Sequence, residues 1–292
     1  MSRRHVLIAG CGYVGQRLAL RLQAQFDVTG LVRSSQRVAE LERAGIRAIA
    51  IDLDRVRAGV AIPERLDQEA ILYLTPPPVL GESDLRLDRF LQLATVPPHT
   101  FVYMSTTGVY GDTAGAVVDE SSAVQPRTDR ARRRVSAEEM TRVWCNERRV
   151  RRVVLRVPGI YGPQRLPMER LQHLEPVVRE REAGINNRIH VDDLVEACAR
   201  AIANPEARGV YNVTDGQPFS STAFITLVAK AAGLPAPPQV SMEEAQLTFS
   251  PERLSFLNES RRVSNERMLK HLGVVLRYGN VEEGIRASLA EG

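Results

Sequence analysis

Short apolar runs alternate with helical patterns through the first half of the chain. The run "HVLIAG" predicts a strand buried on both faces, and "GQRLALRLQAQ" after it has apolar positions at helical spacing. The alternation continues with "DVTGLVR" as strand, "SSQRVAELERAG" as helix and "IRAIAID" as strand. "AILYLT", a helix over "SDLRLDRFLQLA", "TFVYMS", an arginine-rich helix and "RRVVLRV" complete it. Strands separated by helices of this length form right-handed crossovers, so the pattern predicts a doubly wound α/β domain built on a parallel sheet. The second half is less regular. Helices are predicted at "VDDLVEACARAIAN", "SSTAFITLVAKAAG", "SNERMLKHLG" and "NVEEGIRASLA", and "GLPAPPQVS" reads as a loop leading to a short strand. The expected division is a dinucleotide-binding domain over 1–165 and a smaller C-terminal α/β substrate lobe over 166–292, with 188–213 packing back on the first domain.

A length of 292 residues, 43% of them hydrophobic, allows a substantial core. The net charge of +4 comes from arginine far more than from the two lysines, Lys230 and Lys270, and suits a small anionic ligand as well as a polymer. Cys11, Cys145 and Cys198 are scattered without metal-ligand spacing, so no metal is expected and the thiols read as reduced. Neither a leader before the first strand nor a membrane-spanning run is evident, which predicts a cytoplasmic protein.

The first chemical signal is "IAGCGYVG". Gly10, Gly12 and Gly15 follow a strand and open a helix with G-x-G-x-x-G spacing. The first glycine permits a tight turn, the second lets backbone approach a pyrophosphate, and the third lets helix and strand pack closely. The helix N-terminus then offers its unsatisfied N–H groups to the phosphates. At the end of the second strand an NAD site places an acid on the ribose 2′-hydroxyl. This chain has "LVRSSQR" there, with Arg33, Ser34 and Arg37. An arginine pairs with a 2′-phosphate, so NADP is the expected cofactor and NAD the alternative. Ser34 also fits a plain helix cap. Asp52 fits either a contact to the adenine amino group or the cap of the next turn.

From "FVYMSTTGVYGD" onward the chain resembles the short-chain dehydrogenase/reductase superfamily, in its extended branch of NAD-dependent epimerases and dehydratases. "LRVPGIYGP", "RIHVDDLVEA", "GVYNVTDGQPFS" and "RVSNERMLKHLG" carry the likeness along the chain in the expected order. The resemblance implies a Rossmann fold. It gives Thr106 a hydrogen bond to a substrate oxygen, with Ser105 and Thr107 beside it, and sets Pro158, Gly159 and Ile160 beside the nicotinamide. Tyr13, Val14, Leu74 and Thr75 complete the expected cofactor contacts. His190 reads as structural.

Relatives carry Tyr-x-x-x-Lys on the helix after the threonine block, the tyrosine moving a proton while the lysine holds the nicotinamide ribose. Here that helix is "QPRTDRARRRVSAEE". Anchored on "SAEE", Arg130 falls at the tyrosine position and Arg134 at the lysine position. None of the seven tyrosines has lysine four residues on. Arg134 is suited to hold a ribose hydroxyl or stabilise an alkoxide, but a guanidinium is no acid near neutral pH. The remaining donors are Tyr110, a water or a group on the substrate. The arginines also suit an anionic substrate, and Arg132 and Arg133 read as solvated, pairing with Glu138 or Glu139. With no interleaved aromatics, the stretch does not suggest nucleic-acid binding. The likeness is best to atypical members that lack the tyrosine–lysine pair. It implies an NADP-linked oxidoreductase or epimerase-like enzyme acting on a small polar or anionic molecule. A non-catalytic dinucleotide sensor and a sugar-nucleotide epimerase or dehydratase are the alternatives. A homodimer through the helices around 83–96 and 130–147 is a further expectation of the resemblance.

Overall fold

The computed structural model describes residues 3–56, 61–62 and 68–292. Its centre is a seven-stranded sheet of β1 (His5–Ala9), β2 (Asp27–Val32), β3 (Arg47–Ala50), β4 (Gln68–Tyr73), β5 (Thr100–Thr106), β6 (Arg151–Val157) and β7 (Gly209–Asn212). The strand order is β7-β6-β5-β4-β1-β2-β3, with every pairing parallel. Side chains alternate along each strand, and both faces are covered. On β1, Val6 and Ile8 enter one core together with Leu18, Leu41 and Leu194, while Leu7 and Ala9 enter the other with Phe90 and Trp144. Helices α1 (Tyr13–Leu22), α2 (Ser35–Arg43) and α6 (Val191–Ala203) cover the first face. Helices α3 (Leu85–Leu93) and α4 (Asp129–Arg148) cover the second. The apolar runs of β1, β2, β4, β5 and β6 are therefore continuous because these strands are buried on both sides, whereas the edge strand β3 is exposed at Arg47 and Ala50.

Strand order reverses between β1 and β4, which opens a crevice at the carboxyl ends of these two strands. The smaller lobe lies beyond the carboxyl end of the sheet. It holds α5 (Met168–Gln172), α7 (Ser221–Ala231) and α10 (Val281–Ala290) around Tyr161, Phe224, Val228 and Ile285, and α8 (Met242–Thr248) and α9 (Pro251–Leu257) around Val178, Ala245 and Phe249. The chain crosses between the lobes more than once. Strand Arg188–His190 pairs with Gly159–Tyr161, α6 packs on the main sheet, and β7 adds the sheet's last strand beside β6. Two features of the second half differ from the sequence expectation. "SNERMLKHLG" is helical over 266–272, but its Met268–Leu272 part is wound as π-helix and closed by Gly273 in the left-handed region. The segment after the proline loop contains two short helices, α8 and α9, capped by Ser241 and Ser250. Among the described residues no helix is long and apolar enough to cross a membrane.

Candidate functional site

The glycine loop fills the crevice between β1 and β4. Gly10 has a φ of +93°, and a Cβ there would meet the Thr75 nitrogen at 2.7 Å. A Cβ on Gly15 would meet the Gly10 carbonyl oxygen at 2.8 Å, so the third glycine seats the helix on the turn. A Cβ on Gly12 would meet nothing within 4 Å. The space above Gly12 is thus left open where a diphosphate would approach. No side chain caps α1 and no acid stands in its first turn, so its positive end faces that space uncompensated. These residues fit a dinucleotide.

A cavity of about 260 Å³ continues from the loop along the end of β2, with Arg33, Arg37, Asp52 and Thr75 in its wall. Arg33 is 3.2 Å from Asp54 and 4.0 Å from Asp52. Asp54 also takes a bidentate pair from Arg86, at 2.7 Å to each oxygen, and that hydrogen bonding holds its carboxyl below the usual range. Arg37 pairs with Glu40. Ser34 caps α2 by accepting from the Arg37 N–H. Asp52 accepts from the Asp54 N–H, so the turn-capping role read from the sequence is present. Leu74 donates its N–H to Ala9 at 2.8 Å, which joins the two strands at the crevice. Val14 packs into the core under the loop. Tyr13 turns its hydroxyl away from the crevice to the Pro163 carbonyl at 2.8 Å, with Arg17 and Arg165 over its ring.

A larger cleft of about 990 Å³ lies between the lobes. One wall is the end of β5, where Ser105 and Thr106 lead into a 3-10 turn that begins at Thr107, and Pro158, Gly159 and Ile160 also face the cleft. Thr106 accepts from the Gly108 N–H at 3.2 Å, which fixes its oxygen and leaves its hydroxyl proton uncommitted by that bond. Ser105 donates to Glu138 at 2.6 Å. Glu138 in turn takes the guanidinium of Arg156, at 3.0 and 2.8 Å, in a pair whose side chains are 7% and 11% exposed. The hydroxyl block therefore rests on a buried ion pair.

Three arginines of α4, Arg130, Arg133 and Arg134, line the same cleft. Arg134 donates to the Met104 carbonyl at 2.8 Å and the Tyr103 hydroxyl at 3.1 Å, placing its charge at the end of β5. Arg130 lies over the Phe256 ring at 3.9 Å. Arg133 corrects the expectation of a solvated side chain. It is 7% exposed and donates to the Gly81 carbonyl at 2.6 Å, because α4 is gripped by the loop before α3 as well as by the sheet. Arg132 is exposed and pairs with Asp129; Glu139 pairs with Arg142, and Glu138 with Arg156.

Tyr110 is also corrected. It is 1% exposed, its hydroxyl donates to Asn212 at 2.8 Å, and Arg156 covers its ring, so it does not face the cleft and cannot hand a proton to a molecule there. His190 caps α6 by accepting from the Asp192 N–H, and its other ring nitrogen meets Ser288 at 3.2 Å. Burial pushes its pKa down to about 4, which keeps the ring neutral. The three thiols are free and buried, and burial raises Cys11 to about 11 and Cys145 and Cys198 to about 12, which removes thiolate chemistry. No His, Cys, Asp and Glu cluster suited to a metal occurs among the described residues. Sequence reading missed Arg86, Arg188 and the Glu138–Arg156 pair, none of which stands in a local pattern that signals its role.

Comparison with known proteins adds four findings. The sequence model of the NAD dependent epimerase/dehydratase family matches residues 6–214. A functionally unknown conserved protein from Silicibacter pomeroyi DSS has a similar structure, with a TM-score of 0.82, 30% identity and 99% of each chain covered. The UDP-glucuronic acid 4-epimerase from Bacillus cereus in complex with NAD shares the fold at a TM-score of 0.75 and 16% identity, over 98% of each chain. Among curated proteins, dTDP-D-glucose 4,6-dehydratase of Mus musculus is 26% identical over 121 residues, or 39% of this chain. The match spans only 34% of that dehydratase.

Proposed function

Since the chain belongs to the NAD-dependent epimerase/dehydratase family, we propose that it is an NADP-linked oxidoreductase or epimerase-like enzyme for a small anionic substrate, working without a tyrosine–lysine relay. The observation that carries this reading is one cleft lined by Thr106, by Pro158–Ile160 and by Arg134, the residue that sequence register sets at the relay lysine's position. The glycine loop and the N-terminus of α1 would hold the diphosphate, and Arg33 with Ser34 the 2′-phosphate. Ser34 keeps a proton to donate while its oxygen caps α2. Bound cofactor supplies or accepts hydride at the nicotinamide.

This chain's own residues do the rest. Thr106 donates to the reacting oxygen. Arg134, fixed by Met104 and Tyr103, places a permanent positive charge at the end of β5, where negative charge on that oxygen would be stabilised. A guanidinium is no general acid, so the proton comes from water or from the substrate. Support for NADP lies in Arg33 following β2 where an NAD site has an acid. The same reading puts a homodimer interface on α3 and α4, where Leu85 and Val143 are exposed.

The test is NADPH oxidation by the purified protein across a panel of small oxo acids, oxo phosphates and neutral carbonyls. Turnover is expected with anionic members, and Thr106→Ala should lower kcat/KM by about 10²-fold. Tight NADP binding with no turnover across the panel would replace this reading with that of a dinucleotide sensor. Turnover of sugar nucleotides alone would point to an epimerase or dehydratase of that class.

A further inference from the structure

Seven arginines line the large cleft, and among the described residues only one carboxylate, Glu252, lines it with them. Three of the seven are ion-paired from outside the cleft, by two carboxylates. Arg170 and Arg253 pair with Glu175, and Arg261 with Glu259. The other four, Arg130, Arg133, Arg134 and Arg188, form no ion pair with a described carboxylate. They stand on two walls. The first three come from α4, beside Thr106; Arg188 comes from the strand paired with Gly159–Tyr161 and lies over the Phe224 ring of α7 at 4.2 Å.

These cations are held without being consumed. Arg130 and Arg188 hold their guanidinium carbons over aromatic rings, a contact that spends none of their N–H groups. Arg133 has a buried Nε with no hydrogen-bond partner, and Arg188 a buried Nη1 in the same condition. Buried donors left unmade are costly and rare in folded proteins. Asp215 lies within electrostatic reach of Arg188 but forms no ion pair with it, and burial raises that carboxyl to about 7. Arg188, lowered by burial to about 10, remains charged at neutral pH.

We propose that the cleft takes a compact substrate bearing two oxyanion groups, one gripped by Arg130, Arg133 and Arg134 beside Thr106 and the other by Arg188. Phosphate and carboxylate share the chemistry this arrangement recognises. The inference rests on the proposed function only in identifying the ligand as the substrate; the binding itself requires no turnover.

The test is calorimetric titration of the full-length protein saturated with NADP+, at constant ionic strength. The two-anion probes are 2-oxoglutarate and 3-phosphoglycerate. Acetate and inorganic phosphate are the single-anion probes, glucose is the neutral one, and UDP-glucose carries its two phosphates as a diphosphate within a far larger molecule. Two-anion probes should bind at least about tenfold more tightly than single anions, and glucose should not bind. The preferred two-anion probe distinguishes a dicarboxylate from a phosphate ester. Arg188→Gln and Arg133→Gln should each reduce that binding at least about tenfold, whereas Arg132→Gln, exposed on the same helix, should not change it. If Arg133→Gln fails to fold by its melting curve, Arg130→Gln takes its place. Equal binding of one-anion and two-anion probes, undiminished binding by Arg188→Gln, or binding of UDP-glucose alone would overturn the proposal. If NADP+ itself does not bind, the cofactor reading fails, and the same titrations on the free protein still decide the anion site.

Discussion

Glu138 shows how a single side chain supports the cleft floor. It bonds Ser105 from one side and Arg156 from the other, deep between α4 and the sheet. Glu138→Gln leaves Arg156 buried without its countercharge, and a loss of about 3–5 kcal/mol in chemical unfolding is expected. Replacing both partners with apolar residues of similar volume should recover much of that loss, which a double variant measures. His190 works by the opposite logic, through neutrality. Its folded pKa of about 4 lies below its ordinary 6.5, so its contribution is complete above 6.5 and is lost as pH falls toward 4. Unfolding free energy should therefore drop across that window by more in the native protein than in His190→Asn, whose amide oxygen can still cap α6; equal slopes would remove His190 from the account. Sequence alone made His190 structural through resemblance, but its ring contacts to Tyr161 and Tyr278 are tertiary and leave no local trace.

The glycine loop is the element whose chemistry was most legible, because spacing, preceding strand and following helix all carry information. Its three glycines nevertheless differ physically. Gly12→Ala should leave stability within about 0.5 kcal/mol, since its Cβ meets nothing, while weakening dinucleotide binding. Gly15→Ala and Gly10→Ala should cost stability, by about 1–3 kcal/mol, because each Cβ would press on backbone closer than 3.0 Å. Melting curves set against binding constants separate the two effects. Helices α8 and α9 were illegible for a different reason. Seven residues give too few turns for a periodic apolar stripe, although Ser241 with Glu244, and Ser250 before Pro251, were capping signals in plain view. Arginine-rich α4 misled at Arg133, since the loop before α3 covers that side of the helix while Arg132, Glu139 and Arg142 stay exposed.

At the scale of the whole molecule, the alternation of buried strands and amphipathic helices made the parallel sheet readable, because both periodicities repeat locally. The cleft was readable only on its sheet side. Arg188, Ile225 and Phe256 reach it through the second lobe, where chain order gives no hint of proximity. A homodimer through α3 and α4 should appear in sedimentation as twice the chain mass of 32.4 kDa, and Val143→Glu should return it to monomer. A single mass for both proteins would discard that interface. The most direct measurement of the central claim is calorimetric titration of the native protein and Arg33→Glu with NADP+ and NAD+. NADP+ should bind the native protein more tightly than NAD+, and Arg33→Glu should weaken NADP+ by at least about tenfold while changing NAD+ little. Uptake of neither dinucleotide by the native protein would contradict the account.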